Sequence, residues 1–187
     1  MIKKIIVLSK SPIKYQAVTR WLNVLGCDSI EIECIDSEPT GCGHPFGKQS
    51  ATECLLNRLP EILSKDTLYI GIENFIEMDA TRWYDKVAVA IYVVHDNSFL
   101  YNIAVGQFNN IIPKQFIPKT NPDIIIPFGY SKTVGNCIHE AYPAIPHDNW
   151  ATSVSPINVD RVTQIFDALR CFQIKTVVSL ANDCMVI

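Results

Sequence analysis

A short run of hydroxyls and amines near the start of the chain, Ser9, Lys10, Ser11 and Lys14 within "SKSPIK", has the composition of an anion-binding loop. It follows the apolar run Ile5–Leu8, whose length and branching predict a buried strand, and it precedes Val18, Trp21, Leu22 and Leu25, spaced as one helical face. The loop therefore joins the C-terminal end of a strand to a helix N-terminus, where unpaired backbone N–H groups and the helix dipole favour an anion. The serines would add donors and the lysines positive charge, so a phosphate fits. The same residues also make a plain helix start, with Ser11 as N-cap and Pro12 at the first helical position. Neither the dinucleotide-binding glycine fingerprint nor the Walker A pattern is present, and both readings stand.

Carboxylates beside a phosphate loop are the usual means of holding magnesium, which takes a few hard oxygens together with water and phosphate. The candidates are Glu38, in the Pro/Gly-rich loop Asp36–Gly47, and Glu73, inside "GIENFIE". Ile70, Ile72 and Ile76 make the setting of Glu73 apolar, so its carboxylate needs a partner. That partner is either a metal or a structural bond from the backbone or an arginine. Arg161 can reach a ligand or pair with a neighbour such as Asp160. Trp150 in "DNWAT" can stack on a base, although a tryptophan in such a stretch is more often core. The four histidines are scattered among loops and turns, and no Ser or Cys sits in an elbow sequence, so no nucleophilic triad emerges. Cys42 with His44 lacks the second pair a zinc site needs.

The elements that must carry these residues follow from composition and period. With 187 residues, 48% of them hydrophobic, the chain can build one domain with a real core. A net charge of −3 gives no general reason to expect nucleic acid or an acidic membrane as partner. No run approaches a membrane span, and the apolar run at the start is too short for a signal peptide. Seven cysteines without a Cys-x-x-Cys pair agree with a reducing, cytoplasmic setting.

Gly26 is placed to end the first helix, and "SIEIECI" from Ser29 alternates as a half-buried strand does. Gln49–Leu63 reads as a second helix that Pro60 kinks or shortens. Three strand-like segments, "LYIGIENFIEM", "WYDKVAVAIYVV" and "SFLYNIAVGQF", then form a meander joined by short polar turns, its middle strand apolar on both faces. Residues 109–128 mix proline and isoleucine without either period. A short helix carries Val134, Cys137 and Ile138, and "HDNWATSVSPIN" reads as a strand. Asn158 can cap a last helix with Val162, Ile165, Phe166 and Leu169 as its stripe, and Ile174–Ile187 resembles an edge strand and tail. The expected fold is α/β: a single domain over residues 1–187, with a mixed twisted β-sheet and flanking helices.

Several local sequences in this order also match a known family. They are Ser9-Lys10-Ser11-Pro12-Ile13-Lys14 after the first strand, Glu38 followed by Pro45-Phe46-Gly47, Asn57-Arg58, Ile72-Glu73, and Asp160-Arg161 at the last helix. Over nearly its full length the chain resembles the inosine/xanthosine triphosphatase-like family. The resemblance implies that family's fold and a Mg²⁺-dependent hydrolase, with Mn²⁺ the alternative ion, that cleaves a phosphoanhydride of inosine or xanthosine triphosphate. Ser9, Lys10, Ser11 and Lys14 would grip the phosphates, Glu38 and Glu73 would hold the metal and orient water, and Arg161 and Trp150 would meet the base. A homodimer is implied by the same analogy. Asn74 and Phe75 replace the family's glycines after the strand glutamate, and Ile157 replaces one before the last helix, which predicts a narrower pocket. At these positions the chain is similar to the C-terminal domain of proline-rich and coiled-coil-containing proteins, through Glu73–Ile76, Thr133–Gly135 and Asp148–Trp150. That similarity implies a protein-interaction module with a protein partner and no turnover.

Overall fold

The computed structural model of the chain describes residues 2–37, 44–61, 63–95, 98–118 and 129–172. Glu38, the stretch 119–128 and the expected final strand at 174–187 lie outside them. The opening apolar run is strand β1 (Lys4–Val7), and the helix after the loop is α1 (Pro12–Val24). This helix ends as the glycine predicts. Gly26 has φ +67°, its N–H donates to Asn23 O (3.1 Å), and the Cys27 N–H donates to Leu22 O (3.0 Å), the paired bonds of a left-handed helix end. Edge strand β2 (Glu31–Cys34) then lies parallel to β1.

A two-residue strand, β3 (His44–Pro45), leads into helix α2 (Gly47–Leu56). This helix begins two residues before the expected start and stops well before Leu63. Pro60 has no N–H for the Leu56 carbonyl and its ring collides with that carbonyl, so the helix cannot run through it. Arg58 consequently leaves on a turn, pointed back at the sheet.

Strands β4 (Thr67–Met78) and β5 (Trp83–His95) form the long central hairpin, paired antiparallel from Leu68↔Val93 to Met78↔Trp83. Every residue from Val87 to Val93 is at most 2% exposed, as the unbroken apolar run predicts for a central strand. Strand β1 joins β4 in parallel, while β6 (Ser98–Val105) and β7 (Asn110–Ile112) pair antiparallel with opposite ends of β5. The six strands thus make a mixed sheet.

The β4–β5 turn is held by Asp79, whose Oδ1 accepts from the N–H groups of Thr81 and Arg82 (both 2.8 Å) and whose Oδ2 accepts from Tyr84 Oη. These bonds, the Thr81 N–H foremost, lower the Asp79 pKa to about 2. Its contribution to stability is therefore complete above the ordinary carboxylate value of 3.8 and is lost as pH falls through about 2. In Asp79→Asn that acid-dependent component should vanish from melting curves recorded between these values. A melting temperature equally acid-sensitive in both proteins would show that the turn is not the source.

Beyond β7, a 3₁₀ turn at Lys114–Phe116 precedes β8 (Gly129–Tyr130), which pairs antiparallel with β3. Helix α3 (Val134–Ala141) is capped by Thr133, whose Oγ1 accepts the Asn136 N–H at 3.1 Å. The stretch read as a strand around Trp150 is instead a turn and a one-turn helix, α4 (Ala151–Val154), because the Trp150 carbonyl accepts from both Ser153 and Val154 N–H. The last described helix, α5 (Arg161–Arg170), is capped by Asp160, whose Oδ1 accepts the Thr163 N–H at 2.9 Å. Asn158, the expected cap, lies two residues short of it with φ +58°.

Helices α1 and α5 cover one face of the sheet, burying Trp21, Leu22, Ile165 and Leu169 against Ile5, Val7, Ile70 and Ile91. Helix α2 covers the other, with Leu55 among Tyr69, Phe75 and Tyr92. A third cluster, including Ile76, Ile112, Val134, Ile138 and Trp150, packs the far half of the hairpin. Each such side chain, fully buried, contributes about 1.5–3 kcal/mol. Exposed ion pairs such as Lys3–Asp66 add little beside that. None of the described cysteines, Cys27, Cys34, Cys54, Cys137 and Cys171, forms a disulfide. No described helix is long and apolar enough to cross a membrane.

Candidate functional site

Strand β1 covers β4 only as far as Ile70, and the Leu8 N–H takes the Ile70 carbonyl at 2.9 Å. Beyond that point the edge of β4 is open until Phe46 meets Ile76 in a single parallel bridge, and a cleft of about 440 Å³ lies beside the open stretch. The position is the C-terminal end of a parallel strand, where open α/β sheets place their ligands. Loop and helix residues Ser11 and Lys14, the turn residue Arg58, Glu73 and Asn74 of β4, and Arg161 of α5 line it, with His44, Gly135 and Asp148 from the far half.

The missing β1 neighbour explains Lys14. From the first turn of α1 its Nζ donates to the open Ile72 carbonyl at 2.7 Å. Burial is the main influence on this amine and brings its pKa down to about 8, with Glu73 opposing and Arg58 and Arg161 adding to the drop. Ser11 occupies the N-cap position of α1 but makes no side-chain cap bond, and Pro12 takes the first helical position. The Ser11 N–H instead donates to Ser9 Oγ at 3.2 Å, and Ser11 lines the cleft. Lys10 does not line the cleft. It is largely exposed, with Nζ 3.5 Å from Asp36 Oδ2.

The partner that Glu73 requires is an arginine. Its Oε2 accepts from Arg58 Nε at 2.8 Å and from Arg58 Nη2, while Nη1 donates to the Ser37 carbonyl at 2.5 Å. Both side chains of the pair are about 11% exposed. Among the described residues no group of three His, Cys, Asp or Glu is arranged to hold a metal. A carboxylate already shared with a guanidinium does not by itself make a magnesium site, so the described donors alone do not fit that ion.

A second buried pair sits across the cleft. Arg161 Nη2 donates to Asp85 Oδ2 at 2.6 Å and Nη1 donates to Gln164 Oε1 at 2.9 Å. Asp85 is wholly buried and His44 is 3% exposed. Burial pushes the His44 pKa down, against the pull of Asp85, so the ring is neutral near pH 7. Gly135 lets the far wall close up: a Cβ there would lie 1.7 Å from the His147 carbonyl oxygen. Trp150 is fully buried in the third cluster and does not line the cleft. Phe75 packs under α2 and Ile157 is exposed, so neither of these replacements for glycine fills the pocket.

Sequence reasoning brought Ser11, Lys14, Glu73 and Arg161 to this place and left out His44 and Asp85. Asp85 carried a usable signal, since a carboxylate inside "WYDKVAVAIYVV" raises the same need for a partner as Glu73. His44 carried none. It sits in a loop sequence, and its burial comes with the β3–β8 pairing and the approach of Val134 and Asp85, all distant in the chain.

The Lys14 environment has a consequence for pH. Its folded pKa lies below the ordinary 10.5, so between about 8 and 10.5 the unfolded chain holds a proton that the folded chain has released, and stability from this residue rises with pH. An anion held through this amine would need it charged, so its affinity would be highest well below pH 8 and fall by up to about tenfold per unit above it. Titrations of inorganic triphosphate from pH 7 to 9.5 would read this, with Lys14→Met expected to give a flat, weaker profile. A wild-type profile as flat as the variant's would remove Lys14 from the site.

No family model matches the chain, and no curated protein does. Among solved structures it is similar to the crystal structure of protein VC0702 from Vibrio cholerae, with a TM-score of 0.61 and 14% identity over 100% of both chains. At that identity the likeness bears on the fold alone. Fold and site together define an α/β protein with a mixed sheet, flanking helices and a cation-bearing cleft at the end of β1.

Proposed function

We propose that the cleft binds the phosphates of a purine nucleotide, in the manner the resemblance to inosine/xanthosine triphosphatase-like proteins implies. The observation that carries this reading is the gathering of three cations, Lys14, Arg58 and Arg161, on one cleft, where they stand with the buried carboxylates Glu73 and Asp85 and the exposed Asp148. The open start of α1 adds backbone donors and the Ser11 hydroxyl. A triphosphate offers enough negative charge to draw on all of them. Hydrolysis of inosine or xanthosine triphosphate extends the same reading. In that extension Glu73 and Glu38 would hold a divalent ion, which would neutralise charge on the departing phosphate.

The pairing of Glu73 with Arg58 favours a second reading, in which the cleft binds and does not turn over, and the chain works with a protein partner. Phosphate and pyrophosphate release from inosine, xanthosine and the common nucleoside triphosphates, with and without Mg²⁺, separates the two. Turnover favouring inosine or xanthosine triphosphate and abolished in Glu73→Gln is the result expected of the hydrolase. No release of either product from folded protein leaves the binding reading in its place.

A further inference from the structure

The Arg161 guanidinium is held from two directions, by Asp85 Oδ2 and by Gln164 Oε1. Gln164 is itself fixed, because its Nε2 donates to the backbone oxygens of Asp85 (2.9 Å) and Phe108 (3.2 Å). Among the described residues, the other oxygen of Asp85, Oδ1, is buried with no hydrogen-bond partner, and so is His44 Nε2. These two atoms face each other at 3.8 Å. Buried polar atoms are seldom left in this state, and here the two unsatisfied atoms are neighbours.

Their roles are complementary. The Val134 N–H donates to His44 Nδ1 at 3.2 Å, so the proton of the neutral ring is on Nε2. A donor thus faces an acceptor across a gap about 1 Å longer than a hydrogen bond. His44 belongs to the two-residue ribbon β3–β8, and Asp85 to the large sheet; the two meet where Phe46, two residues after His44, bridges Ile76, the cross-strand partner of Asp85. A small shift of that ribbon toward β5 closes the gap.

We propose that His44 is a positioning residue for Arg161: its Nε2–H closes onto Asp85 Oδ1 and steadies the carboxylate that aims the guanidinium at the cleft. This rests on the nucleotide-phosphate reading of the cleft. The contact steadies Asp85 in the ligand-free chain and continues to do so when an anion takes part of the hydrogen bonding of Arg161. His44 does not touch the ligand's phosphates in this scheme and acts only through Asp85.

Two substitutions divide the ring's functions. His44→Gln keeps a donor where Nε2 stands, and His44→Asn keeps an acceptor for Val134 while losing that donor. On the full chain without ligand, ¹⁵N NMR should show the His44 proton on Nε2, and guanidinium proton exchange at Arg161 should quicken about tenfold in His44→Asn but stay within about threefold in His44→Gln. Affinity for inosine triphosphate should follow the same order. A proton on Nδ1 in the wild type, or Arg161 exchange unchanged in His44→Asn, overturns the proposal, as does an equal loss in both variants. Where a variant fails to fold, the wild type still decides: a downfield-shifted His44 Nε2 proton supports the contact with Asp85, and one at the position of a free imidazole N–H overturns it. Wild type that shows the exchange contrast but binds no inosine triphosphate would retain the positioning role and dismiss the nucleotide. Binding without the contrast would do the reverse.

Discussion

Arg58→Ala is expected to destabilise the folded chain by about 3–5 kcal/mol, the cost of leaving a carboxylate buried without its partner. Glu73 is 8% exposed on a strand between Ile72 and the buried Phe75, and Arg58 supplies two donors to its Oε2. Removing the arginine also frees the Ser37 carbonyl that Nη1 now holds, loosening the loop that leads toward Glu38. The paired substitution Arg58→Met with Glu73→Leu should recover most of the loss, since two apolar chains of similar volume need no partner. Urea unfolding of the single and double variants tests this as a cycle. A single-variant loss below about 1 kcal/mol would mean that the pair behaves as a solvated surface bridge.

Asp85→Ala is expected to cost a similar amount, about 3–5 kcal/mol, for the opposite reason: a guanidinium is left without its carboxylate. Among the described residues Arg161 then keeps Gln164 Oε1 as its side-chain acceptor, and its side chain is 11% exposed. The released guanidinium should also bind anions less selectively, so affinity for a triphosphate falls while affinity for inorganic phosphate changes little. Thermal unfolding and titration of both anions in wild type and Asp85→Asn, which keeps the shape and removes the charge, would show it. Equal stability in wild type and both variants would place Arg161 in solvent contact and remove the buried pair.

These two pairs show how far the sequence could be read. The strand order of the meander, the exit of α1 at Gly26 and the place of the loop between β1 and α1 were all legible, because each rests on local periodicity or turn chemistry. The need of Glu73 for a partner was also legible, but the identity of that partner was not. It depends on Pro60 ending α2 early enough for Arg58 to turn toward β4, a matter of tertiary placement. Around Trp150 the pattern fits strand and helix alike over so few residues, and packing against Ile138 and Phe116 decided for helix. The His44–Asp85 approach was beyond reach, since its partners are far apart in sequence and meet only through the small β3–β8 ribbon.

The most direct test of the central claim is a calorimetric titration of the full chain with inosine triphosphate at pH 7, beside Lys14→Met and Arg161→Met. The expected result is one saturable site in the wild type, weakened at least about tenfold in each variant, as for other anions that lose a buried cationic partner. Equal binding in all three proteins, or none in folded wild type, would contradict a phosphate-binding cleft at the end of β1.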